Sequence, residues 1–376
     1  MATLQEGVAY PDENGVMLRR FRSRPIIKAA AIPIPITRGK GGRVQYNGGA
    51  IDGFLLAGMS DEYAIGYYTE VDRPFFSALA RSFTTCDWFF STVMGPTYPN
   101  RIFQHAAQTD RIENTRQTSM VPTIWDRLAQ AGVSARYDYS DVSFLWLWGI
   151  KYLPIHARYE RFLIDAANGT LPSVSFVEPR FGEDRTGTSG SDHPHGDIRE
   201  GDAFLAETFH AVASGPAWPR TVFIVTYDEW GGFFDHVAPP RAIAPNGVDP
   251  DVVKGRALLG MRVPVIVASP WTRGDSATQV VSTVFDHTSV LKLGPAPIDE
   301  ARCVTRRRQS RQGAELRRPG HLRATAAAAD AARDRAVLAD AAGRRPRRVI
   351  RLAAAEPRAC RERRAGVRDT SGSCPR

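Results

Sequence analysis

The chain has 376 residues, enough for one large α/β domain or two smaller ones. Its formal net charge of +9 suggests a nucleic-acid partner until its placement is read: residues 301–376 hold 21 Arg, no Lys and 7 acids, a net +14, whereas residues 1–300 hold 28 basic and 33 acidic residues, a net −5. No run of about 18 apolar residues is present to cross a membrane as a helix, and the opening MATLQEGVAYPDENG lacks the charged-then-apolar pattern of a signal peptide.

Residues 1–50 read as loop-rich, with a Pro-rich AIPIPI and a Gly-rich GKGGRVQYNGG. IDGFLLAG and DRPFFSALARSF read as helical pieces, the second opening behind an Asp cap and a proline. Cys86, in SFTTCDWFF, is the only cysteine before the tail, where Cys303, Cys360 and Cys374 lie. That excludes a disulfide framework in the body and argues against a cysteine-based zinc site, so Cys86 is expected to be a small buried residue. TIWDRLAQAG reads as a short helix ended by Gly132, and VSARYDYS and SVSFVEP as strands. DIREGDAFLAETFHAVAS has the apolar spacing of an amphipathic helix. Buried strands follow at 221–227 and within RVPVIVASP, 262–270. Strands alternating with helices predict a mainly parallel sheet with helices on both sides.

The segment after about residue 293 is compositionally foreign to the rest. It holds no Phe, Tyr or Trp, and the switch falls inside an expected helix, FDHTSVLKL. GC-rich coding DNA read out of frame gives Arg, Ala, Gly and Pro in such proportions. The expected organisation is therefore a domain over 1–293 and an aberrant or disordered tail over 294–376, the alternative being a basic arm that binds nucleic acid or acidic lipid.

Three stretches carry chemistry. In GPTYPNR, residues 95–101, Pro96 and Pro99 fix φ on either side of Thr97 and hold its hydroxyl in a defined direction, although a turn hydroxyl bonding to backbone would read the same. SDHPHGDI, residues 191–198, sets His193, His195 and Asp197 on alternate positions before a helix. Metallo-β-lactamase-like hydrolases also carry His-x-His-x-Asp, but a further histidine follows there, and here that position is Ile198. Asp197 also suits a helix N-cap. In TVFIVTYDEWGGFFDHV, residues 221–237, Asp228 and Glu229 stand side by side at a strand's end. Plain solvation would explain one acid. Two like charges among aromatics, with Gly231 and Gly232 allowing the chain to fold back over them, favour a bound cation. A hydroxyl, a histidine loop and paired carboxylates together suit phosphoryl transfer.

GPTYPNR, VSFVEPRF, SDHPHGDI, TYDEWGGFFDHVAPP, LGMRVPVIVASPWTRG and FDHTSVLKL resemble, in order and spacing, the successive blocks of the bacterial phospholipase C and acid phosphatase family of phosphoesterases over about residues 50 to 292. The resemblance implies an alkaline-phosphatase-like central mixed sheet flanked by helices, with a metal site at its strand ends. It implies Thr97 as nucleophile and metal ligand, and Asp228 and Glu229 as further ligands of a divalent ion of unknown identity. His193 would contact the phosphoryl group or assist the leaving group. Asn100 and Arg101 would shape the nucleophile loop, with His195 supporting the site. His236 and His287 would be structural and Asp286 an N-cap. The substrate implied is a phosphate ester or phospholipid, and family members are often exported.

The chain departs from that family at both ends. The family's first strand leads into a Glu-Asn pair that supplies metal ligands. Here the pairs are Glu13–Asn14, in a DENG turn, and Glu113–Asn114, in a polar loop, so the fold is expected to be incomplete at its first strand. Three functions follow as expectations: a metal-dependent phosphoesterase, an inactive fragment of one, or a nucleic-acid binder acting through the tail.

Overall fold

The computed structural model describes residues 9–12, 14–19, 41–57, 62–182, 188–194, 196–274 and 278–293. The expectations for His195, Glu13 and the 294–376 tail lie outside them.

The strand Val265–Ala268 is central to a four-stranded sheet ordered Gln279–Val281, Thr84–Cys86, Val265–Ala268, Phe223–Thr226. It runs antiparallel to both of its neighbours, whereas Gln279–Val281 pairs parallel with Thr84–Cys86. A second sheet is parallel throughout, with Ala135–Tyr139 between His156–Arg158 and Val174–Glu178. The fold is thus mixed α/β with flanking helices, and the mainly parallel sheet expected from strand–helix alternation is corrected: alternation does not fix the direction of Val265–Ala268. The predicted strands at 221–227 and 262–270 shorten to four residues each.

Helix ends account for several local outcomes. Ile198–Ser214 is capped by Asp197, whose side chain accepts from Arg199 N at 3.0 Å. Ile124–Gln130 carries a capping box between Thr123 and Asp126. Asp286 caps His287–Leu291 by accepting from Thr288 N at 2.9 Å, as expected. The Pro74–Ser82 helix differs. Asp72 turns back to Thr69, and the cap comes from Asp202, which accepts from Phe75 N at 2.9 Å and Phe76 N at 2.8 Å. IDGFLLAG forms only a single 3₁₀ turn, Phe54–Leu56.

One core cluster gathers Ile102, Trp125, Leu128, Tyr137 and Trp148 around the Thr97–Ala106 helix. Another joins Phe54, Ile65, Met94, Met261 and Trp230, the residue that follows Glu229. Cys86 is buried and free, and burial pushes its thiol up to about 11, so it is an inert packing residue as expected. The Ala9–Pro11 and Met17–Arg19 strands pair antiparallel, and Asp12 Oδ1 accepts from Asn14 N at 2.9 Å and Val16 N at 2.8 Å. Asn14 is therefore held in a hairpin turn, as DENG suggested.

Candidate active site

Thr97 does not sit in a turn, as the two prolines suggested. It is the first residue of a ten-residue helix, with Pro96 as N-cap and Pro99 in the first turn, where a missing N–H costs nothing. Asn100 fixes the approach to it. Its Oδ1 accepts from Val93 N at 2.8 Å, and its Nδ2 donates to the carbonyls of Val93 at 3.1 Å and Gly95 at 2.9 Å. Asn114, from the pair read as a polar loop, accepts from Tyr98 N at 2.8 Å and so ties down the same helix start.

One turn beyond Thr97, Arg101 is buried and pairs with Glu178; its Nη2 also donates to Tyr137 Oη at 3.0 Å. The guanidinium lies 4.2 Å from the Phe144 ring centroid and 4.9 Å from that of Phe181. Glu178 accepts from Tyr137 Oη and, at 3.1 Å, from Phe144 N, so this buried pair has its remaining hydrogen bonds satisfied. A further turn on, His105 is enclosed by Trp125, Tyr137, Phe144, Trp148 and Phe176. Burial, Arg101 and His287 hold its imidazole well below the usual histidine range, so it is neutral.

The carboxylate pair follows the strand Phe223–Thr226. Burial raises the Asp228 carboxyl above its ordinary value, while the charges of Arg101 and His193 pull against it. Asp228 is half-buried. Gly231 and Gly232 both take positive φ, +65° and +77°, and Glu229 Oε2 accepts from Gly231 N at 2.6 Å. The chain thus folds back over its own acid, as the glycines predicted. Trp230 is buried; its Nε1 donates to Gln45 Oε1 at 2.9 Å, and Gln45 Nε2 donates to the Gly232 carbonyl at 3.1 Å.

Close approaches place the motif loops together. A methyl on Gly42 would lie 3.0 Å from both Met94 Sδ and Trp230 Cζ2, so the segment before Thr97 abuts the one after Glu229. A methyl on Gly231 would lie 3.4 Å from Pro194 Cγ, which brings the SDHP loop to the same turn. His287 ties two of them together. Its Nε2 donates to the Tyr227 carbonyl at 2.9 Å, and its Nδ1 lies 3.0 Å from Thr92 Oγ1.

His193 is half-buried, with Nδ1 donating to the Pro194 carbonyl at 2.8 Å. A carbonyl only accepts, so Nδ1 carries the proton and Nε2 is the nitrogen able to take one up. His236 is exposed, with Nδ1 3.8 Å from Asp235 Oδ1. Asp235 itself is buried against Arg262 at 2.6 Å.

Among the described residues no three His, Cys, Asp or Glu side chains are grouped so as to hold a metal ion. Asp228 and Glu229 are adjacent carboxylates, but Glu229 commits one oxygen to Gly231 N, and the described donors do not make up a complete ion shell.

The fold is mixed α/β, and the comparisons with known proteins give its class. The profile described as "Phosphoesterase family" matches residues 40–144 and 149–293, and the chain belongs to that family. Non-specific phospholipase C1 of Arabidopsis thaliana is 33% identical over 253 residues, covering 62% of this chain and 47% of that protein. Non-specific phospholipase C6 of the same plant is 31% identical over 239 residues, covering 58% and 45%. Phospholipase C B of Mycobacterium tuberculosis is 30% identical over 324 residues, covering 72% and 60%. The chain spans about half the length of the Arabidopsis relatives it matches. Among solved structures, a protein in the alkaline phosphatase superfamily from Vibrio parahaemolyticus matches with a TM-score of 0.35 at 11% identity, covering 57% of each chain. A lipoteichoic acid synthase from Listeria monocytogenes matches with a TM-score of 0.38 at 10% identity, covering 72% of this chain and 69% of that one.

Proposed function

We propose that the chain hydrolyses phosphate esters in the manner of a phospholipase C, with phospholipid head groups as the substrate class. What supports this reading is the approach of Met94, just before the Thr97 helix, to Trp230, and of Pro194 to Gly231, which bring stretches far apart in sequence toward the Asp228–Glu229 turn. Thr97 Oγ1 attacks phosphorus, the ester bond to the leaving alcohol breaks, and a phosphothreonine forms. His193 Nε2 takes the Thr97 hydroxyl proton during the attack and passes it to the displaced alcohol oxygen; it then takes a proton from the water that releases phosphate, and that proton returns to Thr97 Oγ1 as the phosphothreonine bond breaks. Thr97 opens a helix, whose positive end favours the charge gathering on the phosphoryl oxygens. Arg101 is committed to Glu178, so its part is to hold the helix and to bias Asp228 rather than to grip substrate.

Family resemblance adds a divalent ion held by Thr97, Asp228 and Glu229, which supplies charge neutralisation when bound. Two carboxylates and a hydroxyl are a thin donor set, so weak ion binding is expected. That thinness favours a second reading, a family member with the fold but low turnover. Over residues 294–376 we retain the proposal of a separate, aberrant segment.

The test is hydrolysis of a nitrophenyl phosphodiester and of phosphatidylcholine vesicles by the full chain, with Thr97→Ala and His193→Ala alongside. Turnover that Thr97→Ala abolishes and His193→Ala sharply lowers supports the reading. Turnover that neither affects overturns it, and no turnover by the parent chain favours the second reading.

A further inference from the structure

Directly beside the proposed catalytic groups lies a second polar cluster that the chemistry above does not use. Tyr227 precedes Asp228, and Asp192 precedes His193. Tyr227 Oη donates to Asp192 Oδ2 at 2.6 Å, and Arg73 closes the triangle, with Nη1 to Tyr227 Oη at 2.7 Å and Nη2 to Asp192 Oδ2 at 2.8 Å. Arg73 comes from the start of the Pro74–Ser82 helix, and its guanidinium carbon lies 4.5 Å from the Phe76 ring centroid. Asp192 takes φ +60°, a conformation that asparagine and aspartate tolerate better than most residues. Its other oxygen packs where a side chain on residue 201 would stand: a methyl on Gly201 would lie 2.0 Å from Asp192 Oδ1. Three separate features therefore hold one carboxylate against one phenol: a committed guanidinium, a left-handed backbone and a glycine that makes room.

We propose that the Arg73–Tyr227–Asp192 triangle is a positioning clamp that sets His193 against Asp228 by locking together the two loops that carry them. This rests on the catalytic reading of Thr97 and His193 given above. None of the three clamp residues contacts substrate in this account. They act through His193 and Asp228, whose loops meet where a methyl on Gly231 would lie 3.4 Å from Pro194 Cγ. A small displacement of a proton donor from its alignment costs turnover far more than binding, so the clamp's signature is in kcat and not in KM.

The clearest variant is Tyr227→Phe, which removes the hydroxyl and leaves the ring. Two readouts decide the matter. In hydrogen exchange, the clamp predicts faster exchange at once in segments 190–196 and 226–232, with the sheet strands unchanged; faster exchange in the 226–232 segment alone, or in neither, overturns it. In turnover, it predicts a kcat lower by about tenfold or more with KM changed less than about threefold. It also predicts that Tyr227→Phe costs less in the residual turnover of a His193→Ala background than in the parent chain, because part of the clamp's effect passes through that imidazole. Independent, multiplying losses would mean a merely structural role and would contradict the clamp. If exchange couples the two loops but Thr97→Ala retains full turnover, the catalytic reading fails and the clamp's mechanical part stands. If Thr97→Ala is inactive and Tyr227→Phe changes neither readout, only the clamp fails.

Discussion

His287 Nε2 donates to the carbonyl of Tyr227 at 2.9 Å, so a residue 60 positions away fixes the strand end on which Asp228 stands. Its other ring nitrogen meets Thr92, on the segment that leads into Thr97. His287→Phe keeps the buried ring volume and removes both ring bonds, leaving the Thr92 hydroxyl only the longer bond it accepts from the backbone N–H of residue 287, at 3.3 Å. A loss of about 1–3 kcal/mol in chemical denaturation is expected, with a fall in turnover that exceeds any change in KM.

Arg101→Met leaves Glu178 ionised and uncompensated in the core. Breaking a buried pair from one side costs about 3–5 kcal/mol, which thermal melts should report as a strongly lowered Tm. The double variant Arg101→Met, Glu178→Gln should recover part of that loss, since it removes both charges.

His105 makes stability depend on pH. Its folded pKa is held well below the ordinary 6.5 by burial, Arg101 and His287, so the unfolded chain binds the proton first as pH falls. The contribution is fully present above 6.5 and is lost below it, at about 1.4 kcal/mol per pH unit until the folded pKa is reached. His105→Phe suits the aromatic enclosure and should flatten the stability profile between neutral pH and mildly acidic pH. An unchanged profile in that variant would assign the acid sensitivity to other groups.

Gly231→Ala places a side chain at φ +65° with its Cβ 3.1 Å from Phe233 Cδ2. About 1–2 kcal/mol of strain is expected, along with loss of the turn that returns Gly231 N to Glu229. Alanine at exposed Gly247, which has open space around it, is the control and should be neutral.

The special backbone of the candidate-site stretches was more legible in the sequence than the framework around them. Thr97, His193, Asp228 and Glu229 stand in stretches whose prolines, glycines and histidines mark special backbone, and the strand Ala135–Tyr139 and the helix Ile198–Ser214 follow their periodicities closely. What stayed hidden depends on partners distant in the chain. Glu178 looked like a strand's last residue, yet it is the counter-ion of Arg101, 77 positions away. The cap of the Pro74–Ser82 helix comes from Asp202 and not from adjacent Asp72, because a carboxylate on a packed neighbouring helix reached the free N–H groups first. Asn114 looked like part of a polar loop and pins Tyr98 N beside Thr97. Strand direction was equally hidden, since an antiparallel Val265–Ala268 has the same apolar composition as a parallel one.

The central claim is that Thr97 becomes phosphorylated during turnover. Acid-quenching the full chain during turnover of a nitrophenyl phosphate ester, followed by peptide mass analysis, tests it directly. The account predicts the added mass of one phosphoryl group on the peptide carrying Thr97, absent from Thr97→Ala. A phosphoryl group on another residue, or undiminished hydrolysis by Thr97→Ala, would contradict it.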